Sequence, residues 1–129
     1  MTTKSNVGEF CWNELITPDV AKAKTFYGAL LGWTFQEHDM GYMTYTMAKS
    51  GDKDAGGMMT VPGNKAVPPH WMSYINVEDV EEVAAKAESL GGKVVMPVTM
   101  AGDFGKFVVV QDPTGAHISF WQSLKDGAC

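Results

Sequence analysis

The chain has 129 residues, of which 45% are hydrophobic and 19% charged, a balance that suits one globular domain and argues against disordered, fibrous and membrane classes. The formal net charge is -5 and the ten basic residues are scattered, so a nucleic-acid partner, which needs clustered Lys and Arg, is not expected. No segment approaches the roughly 20 apolar residues of a bilayer span, and the amino-terminal residues hold no signal-peptide core. A cytoplasmic protein with no membrane partner is the expectation. The two cysteines, Cys11 and Cys129, show no metal or redox spacing and are expected as free thiols.

In chain order, the first predicted element is a strand over residues 9–16, rich in aromatic and β-branched residues. A helix follows, with Thr17 as N-cap, Pro18 at its first position and Asp19 complementing its dipole. Val20, Ala23, Phe26, Tyr27, Leu30 and Leu31 form its apolar stripe, and Gly32 ends it. Three strands are expected next, over about 32–37, 42–49 and 56–61, with the glycine-bearing 50–57 stretch read mainly as a surface loop. A linker at 62–69 separates this module, about 7–62, from a second at about 70–123.

The second module repeats the first. A strand over 71–77 leads to a helix that buries Val80, Val83, Ala84, Ala87 and Leu90 and ends at Gly91 and Gly92. Strands over 93–96, 106–111 and 117–122 close the module, the last two joined by the Asp112-Pro-Thr-Gly115 turn. Asp19 recurs as Asp79, Leu30 as Leu90 and Gly32 as Gly92, so the chain reads as two βαβββ units in one α+β domain. The 101–105 segment is a candidate flexible flap or a plain connecting loop.

Several segments carry a resemblance: Phe10-Cys-Trp-Asn-Glu-Leu-Ile-Thr-Pro-Asp19, Ala23-Lys-Thr-Phe-Tyr-Gly-Ala-Leu-Leu-Gly-Trp33, Leu90-Gly-Gly-Lys-Val94 and Asp112-Pro-Thr-Gly-Ala-His-Ile-Ser-Phe120. Together they resemble the vicinal oxygen chelate superfamily, which includes glyoxalases, bleomycin-resistance proteins and dioxygenases. The resemblance implies that the tandem modules form a curved, cup-shaped mixed sheet with helices outside. It also implies a divalent metal in the cup. The family's ligand positions fall here on Trp12, Met72, Met58 or Met59, and Ser119. None of these is an imidazole or carboxylate donor, so the expectation is no metal and no other cofactor. The metal-dependent chemistry of the family is then not expected.

Strand alternation places Trp12, Glu14 and Ile16 on one face of the first strand, taken as the cup interior. In the same way it aligns Met72, Tyr74 and Asn76 on the second module's first strand and His117, Ser119 and Trp121 on the closing strand, so that together they are expected to line one cavity. The candidate ligand-binding residues are Trp12, Glu14, Met58, Met72, Tyr74, Ser119 and Trp121. Glu14 and His117 are candidate catalytic residues, because a carboxylate in apolar surroundings can act as a general base. Glu14 can equally pair with an amide or a lysine and simply shape its strand.

Three functions stay open. The chain binds an apolar or aromatic small molecule in the cup, as the bleomycin-resistance members of the resembled family do. Alternatively it is a metal-independent lyase or isomerase that uses Glu14. The third is a dimeric interaction module whose cup its own side chains fill. A homodimer is expected under each.

Overall fold

The computed structural model describes residues 7–41, 43–60 and 68–125, so most of the expected linker lies outside the described residues. The elements follow in the order β1 (Phe10–Ile16), α1 (Val20–Leu31), β2 (Thr34–Asp39), β3 (Thr44–Ser50), β4 (Lys53–Met59), β5 (His70–Asn76), α2 (Val80–Ser89), β6 (Lys93–Ala101), β7 (Gly105–Gln111) and β8 (His117–Ser123). Contacts divide the chain into two compact units. The first lies within residues 13–72, and the second runs from residue 73 onward and includes the residues up to 12.

In the first unit β2 pairs antiparallel with β3, β3 antiparallel with β4, and β4 parallel with β1. In the second unit β6 pairs antiparallel with β7, β7 antiparallel with β8, and β8 parallel with β5. The two patterns are the same. Each helix carries the chain from a first strand into three more, and the last of these returns alongside the first in parallel. The fold class is therefore α+β with mixed strand pairing, built from two βαβββ modules.

The first helix starts two residues later than its Thr-Pro lead suggests. Asp19, not Thr17, is the N-cap of α1, its Oδ1 accepting the Lys22 N–H at 3.0 Å. Thr17 instead accepts the Asp19 N–H through Oγ1 at 3.2 Å and holds the entry to the cap. Asp79 caps α2 in the same way, accepting the Glu82 N–H at 3.1 Å. Gly32 ends α1 at φ 73°, a left-handed conformation that costs a residue with a side chain far more.

The two helices differ in what they bury. Val80 of α2 is fully enclosed with Val108 and Val110, and Ala84, Ala87, Val94 and Phe120 pack around them. The Val80 N–H also donates to the Gln122 side-chain oxygen at 2.9 Å, tying the helix start to β8. Leu90, expected in this core, is exposed. No α1 residue is fully buried, and Phe26, Leu30 and Leu31 of its apolar stripe are 57%, 63% and 53% exposed. Apolar periodicity selected the helix correctly but did not guarantee a packing partner for its whole stripe.

Two further expectations are corrected and one open alternative is decided. β4 begins at Lys53, because residues 53 and 54 still pair with Ser50 and Lys49 across a tight turn at Gly51. The 101–105 segment, read as either a flap or a plain connecting loop, is a short hairpin connection, since Ala101 pairs with Gly105 and the Phe104 N–H donates to the Ala101 carbonyl at 3.2 Å. Cys11 is disulfide-bonded rather than a free thiol, and Cys129, the other cysteine of the sequence, lies outside the described residues.

Candidate functional site

Strand register decides which side chains share a face. In the first unit Glu14, Gly57 and Met47 are lateral neighbours, and Leu15, Met58 and Thr46 form the next row. Leu15 lines a groove with Ala23, Phe26 and Tyr27 of α1, so its row faces the helix. Met58 and Thr46 share that face and are enclosed. Glu14 points to the opposite face and is only 7% exposed. Met58 therefore does not share a face with Glu14; Met59, the neighbour of Ile16, does.

The Glu14 face also holds a residue that sequence reasoning missed. A Cβ on Gly57 would run into the hydroxyl of Tyr45, so the glycine opens the space in which that phenol sits over the row of Glu14. A glycine inside a strand was the available signal, because it often marks a close approach of another group.

On the α1 side of this unit, Tyr27 stacks on Trp33 at 5.5 Å and meets Trp71 edge-on at 5.6 Å. The Trp71 indole donates to the Tyr27 hydroxyl at 3.1 Å. These rings belong to the packing of the helix and stand apart from the Glu14 face.

In the second unit Tyr74, Ser119 and Val109 form one row, and Asn76, Trp121 and Phe107 the row beside it. Val108, Val110 and Phe120 alternate with these residues and pack against α2, so Tyr74, Ser119, Trp121 and Phe107 face away from the helix. The Tyr74 ring meets Phe107 at 6.1 Å and Trp121 at 6.2 Å, both edge-on, an arrangement in which the positive edge of one ring meets the negative face of another. The indole N–H of Trp121 donates to the Ser123 hydroxyl at 2.9 Å. Gly105 lies beneath the same indole, where a Cβ would collide with it. Ser119 is fully buried in this row, and its Oγ has no hydrogen-bond partner among the described residues.

The remaining candidates fall as follows. Trp12 is half-buried and stands two residues before Glu14 on the same side of β1. Met72 is 8% exposed and precedes Tyr74 by two on β5. His117 is exposed at the start of β8, opposite Gln111. Tyr74, Ser119 and Trp121 are thus brought together, with Phe107 as an unforeseen fourth member. Phe107 was illegible because β7 is apolar on both faces, Phe107 and Val109 alternating with Val108 and Val110. Among the described residues no three His, Cys, Asp or Glu side chains come together in a way that could hold a cation.

Comparison with known proteins agrees with this architecture. The chain is 35% identical over 116 residues to a Mycobacterium bovis protein with the provisional name glyoxylase CFP32, a match covering 87% of this chain and 44% of that one. It is 30% identical over 142 residues to the anthracycline biosynthesis protein DnrV of Streptomyces peucetius, covering 98% of this chain and 51% of that protein. The chain thus spans about half the length of these relatives. Methylmalonyl-CoA epimerase from Mycobacterium tuberculosis shares the fold with a TM-score of 0.62 at 14% identity, covering 95% of this chain and 93% of its own. The model of one family matches residues 10–120, which include both helices and seven strands complete. The chain belongs to the Glyoxalase/Bleomycin resistance protein/Dioxygenase superfamily.

Proposed function

We propose that this protein binds a flat, apolar or aromatic small molecule and needs no resident metal to do so. The observation that carries the reading is the Tyr74–Phe107–Trp121 cluster on the face turned away from α2, held in place by the Trp121–Ser123 hydrogen bond. Preset aromatic side chains offer a planar ligand large contact area at low entropic cost. The names of DnrV and its relative DauV, which refer to anthracycline biosynthesis, point toward aromatic ligands as well.

The donor set does not suit the metal that the family implies. Trp12 offers an N–H donor, Met58, Met59 and Met72 offer soft thioethers, and Ser119 offers a neutral hydroxyl. A hard or borderline divalent cation is held by carboxylate, carbonyl or imidazole groups instead. Glu14 supplies one carboxylate, too few for such a site by itself.

Naphthalene, followed by its own fluorescence, tests the reading. Chelator-treated protein is expected to bind it saturably, and Trp121→Ala to weaken binding by about tenfold. No saturable binding, or binding that appears only on adding a divalent metal, overturns the proposal.

A second reading is supported by the buried Glu14 and the neighbouring Tyr45 hydroxyl: metal-free proton transfer of the lyase or isomerase type. Its test is deuterium exchange into 2-tetralone, an enolisable aromatic ketone. Loss of exchange in Glu14→Gln supports it, and equal exchange by both chains sinks it.

We also infer a homodimer. The apolar residues Phe26, Leu30 and Leu31 stand exposed on α1, and the relatives are about twice as long as this chain, room enough for a second such module pair.

A further inference from the structure

Ser119 is the one buried side-chain polar atom without a partner among the described residues. An orphaned buried hydroxyl destabilises a fold, and a serine replaced by alanine or valine would remove the penalty. Its place is not an ordinary core position. On one side its row neighbour is Tyr74 and on the other Val109, while Trp121 lies two residues along the same face of β8. The hydroxyl therefore belongs to the face that carries the aromatic cluster, away from the valine core beneath α2. A group that costs stability, set among side chains suited to a planar ligand, fits a role that is fulfilled only when the ligand is present.

We propose that Ser119 Oγ is the polar anchor of the aromatic site, forming a hydrogen bond with an oxygen at the edge of a flat aromatic ligand. The ligand class is narrowed from any apolar molecule to planar aromatics that carry a phenol or carbonyl oxygen. Because the hydroxyl is fully buried in this state, side chains around it must move for the ligand to reach it. This rests on the ligand-binding reading given above and adds the group that orients the ligand. A serine hydroxyl both donates and accepts, so it pairs with either kind of oxygen.

The test compares 2-naphthol with naphthalene, two probes that differ by one hydroxyl, in titrations of the wild-type and Ser119→Ala chains. The wild-type chain is expected to bind 2-naphthol about threefold to tenfold more tightly than naphthalene, the span of one neutral hydrogen bond. Ser119→Ala should bind both probes equally and melt about 3 °C higher than the wild type in the absence of ligand. A preference for 2-naphthol that survives in Ser119→Ala overturns the anchor. So does a variant that melts lower than the wild type, since the hydroxyl would then already have a partner. Equal binding of both probes by the wild-type chain overturns the anchor while leaving the aromatic site standing. Binding of neither probe by either chain overturns the site itself and the anchor with it.

Discussion

Gly57 shows how a residue without a side chain shapes this protein. Any Cβ there meets the Tyr45 phenol, on the row that Gly57 shares with Glu14 and Met47. Gly57→Ala is expected to destabilise the chain by about 1–3 kcal/mol, the usual cost of overpacking. Adding Tyr45→Ala should recover much of that loss, so urea midpoints of the two single variants and the double variant will not add. Additive losses would mean that the phenol is not what the glycine accommodates. The same residue marks a limit of sequence reading. Strand alternation alone grouped Glu14 with Trp12 and Ile16 on one face of β1 but could not say which face turns away from the helix. Tyr45 was not legible, because its reach across β3 to β4 depends on register.

At the level of elements, the two modules share a topology but not the same packing. The β-helix-β pattern, the glycine that ends α1 and the Asp112 turn were legible because each rests on local chemistry. Burial of the helices was not, because it depends on what lies opposite. Val80 is enclosed between α2 and β7, and Val80→Ala should cost about 2 kcal/mol in chemical denaturation. Leu30→Ala on the exposed side of α1 should change the stability of the monomer by less than about 0.5 kcal/mol. The same variant should shift a dimer toward monomer in sedimentation analysis; an unchanged dimer would show that α1 does not form the interface.

The turn between β7 and β8 carries its own pH dependence. The Thr114 hydroxyl, then the Ala116 N–H and the Thr114 and Gly115 N–H groups, donate to Asp112 and hold its carboxyl below the usual 3.8. A depressed folded pKa means that the stabilisation is present above the unfolded value and lost as pH falls through the folded one. Asp112→Asn should therefore melt below the wild type near neutral pH, with the gap closing once pH drops beneath 3.8. A gap that stays constant across this range would mean that the charge contributes nothing.

For the molecule as a whole, family and chemistry separate. The resemblance in Phe10–Asp19 and Asp112–Phe120 was enough to identify the superfamily, since those segments set the strand-to-helix entry and the last hairpin. Function within the superfamily resides in particular side chains, and from the sequence the family's ligand positions fall on Trp12, Met72, Met58 or Met59, and Ser119. The sequence supplies this departure as an expectation, one residue at a time. It could not decide between Met58 and Met59, because a one-residue shift moves every side chain to the other face. Nor could it reveal that Phe107 joins Tyr74 and Trp121, a grouping created by the pairing of β7 with β8.

The most direct test of the central claim is native mass spectrometry of freshly purified protein, with metal analysis of the same sample. The account predicts a chain free of stoichiometric divalent metal that takes up a planar aromatic probe such as 2-naphthol. One tightly held zinc, nickel, iron or manganese ion per chain would contradict it and return the protein to the metal-dependent chemistry of its family.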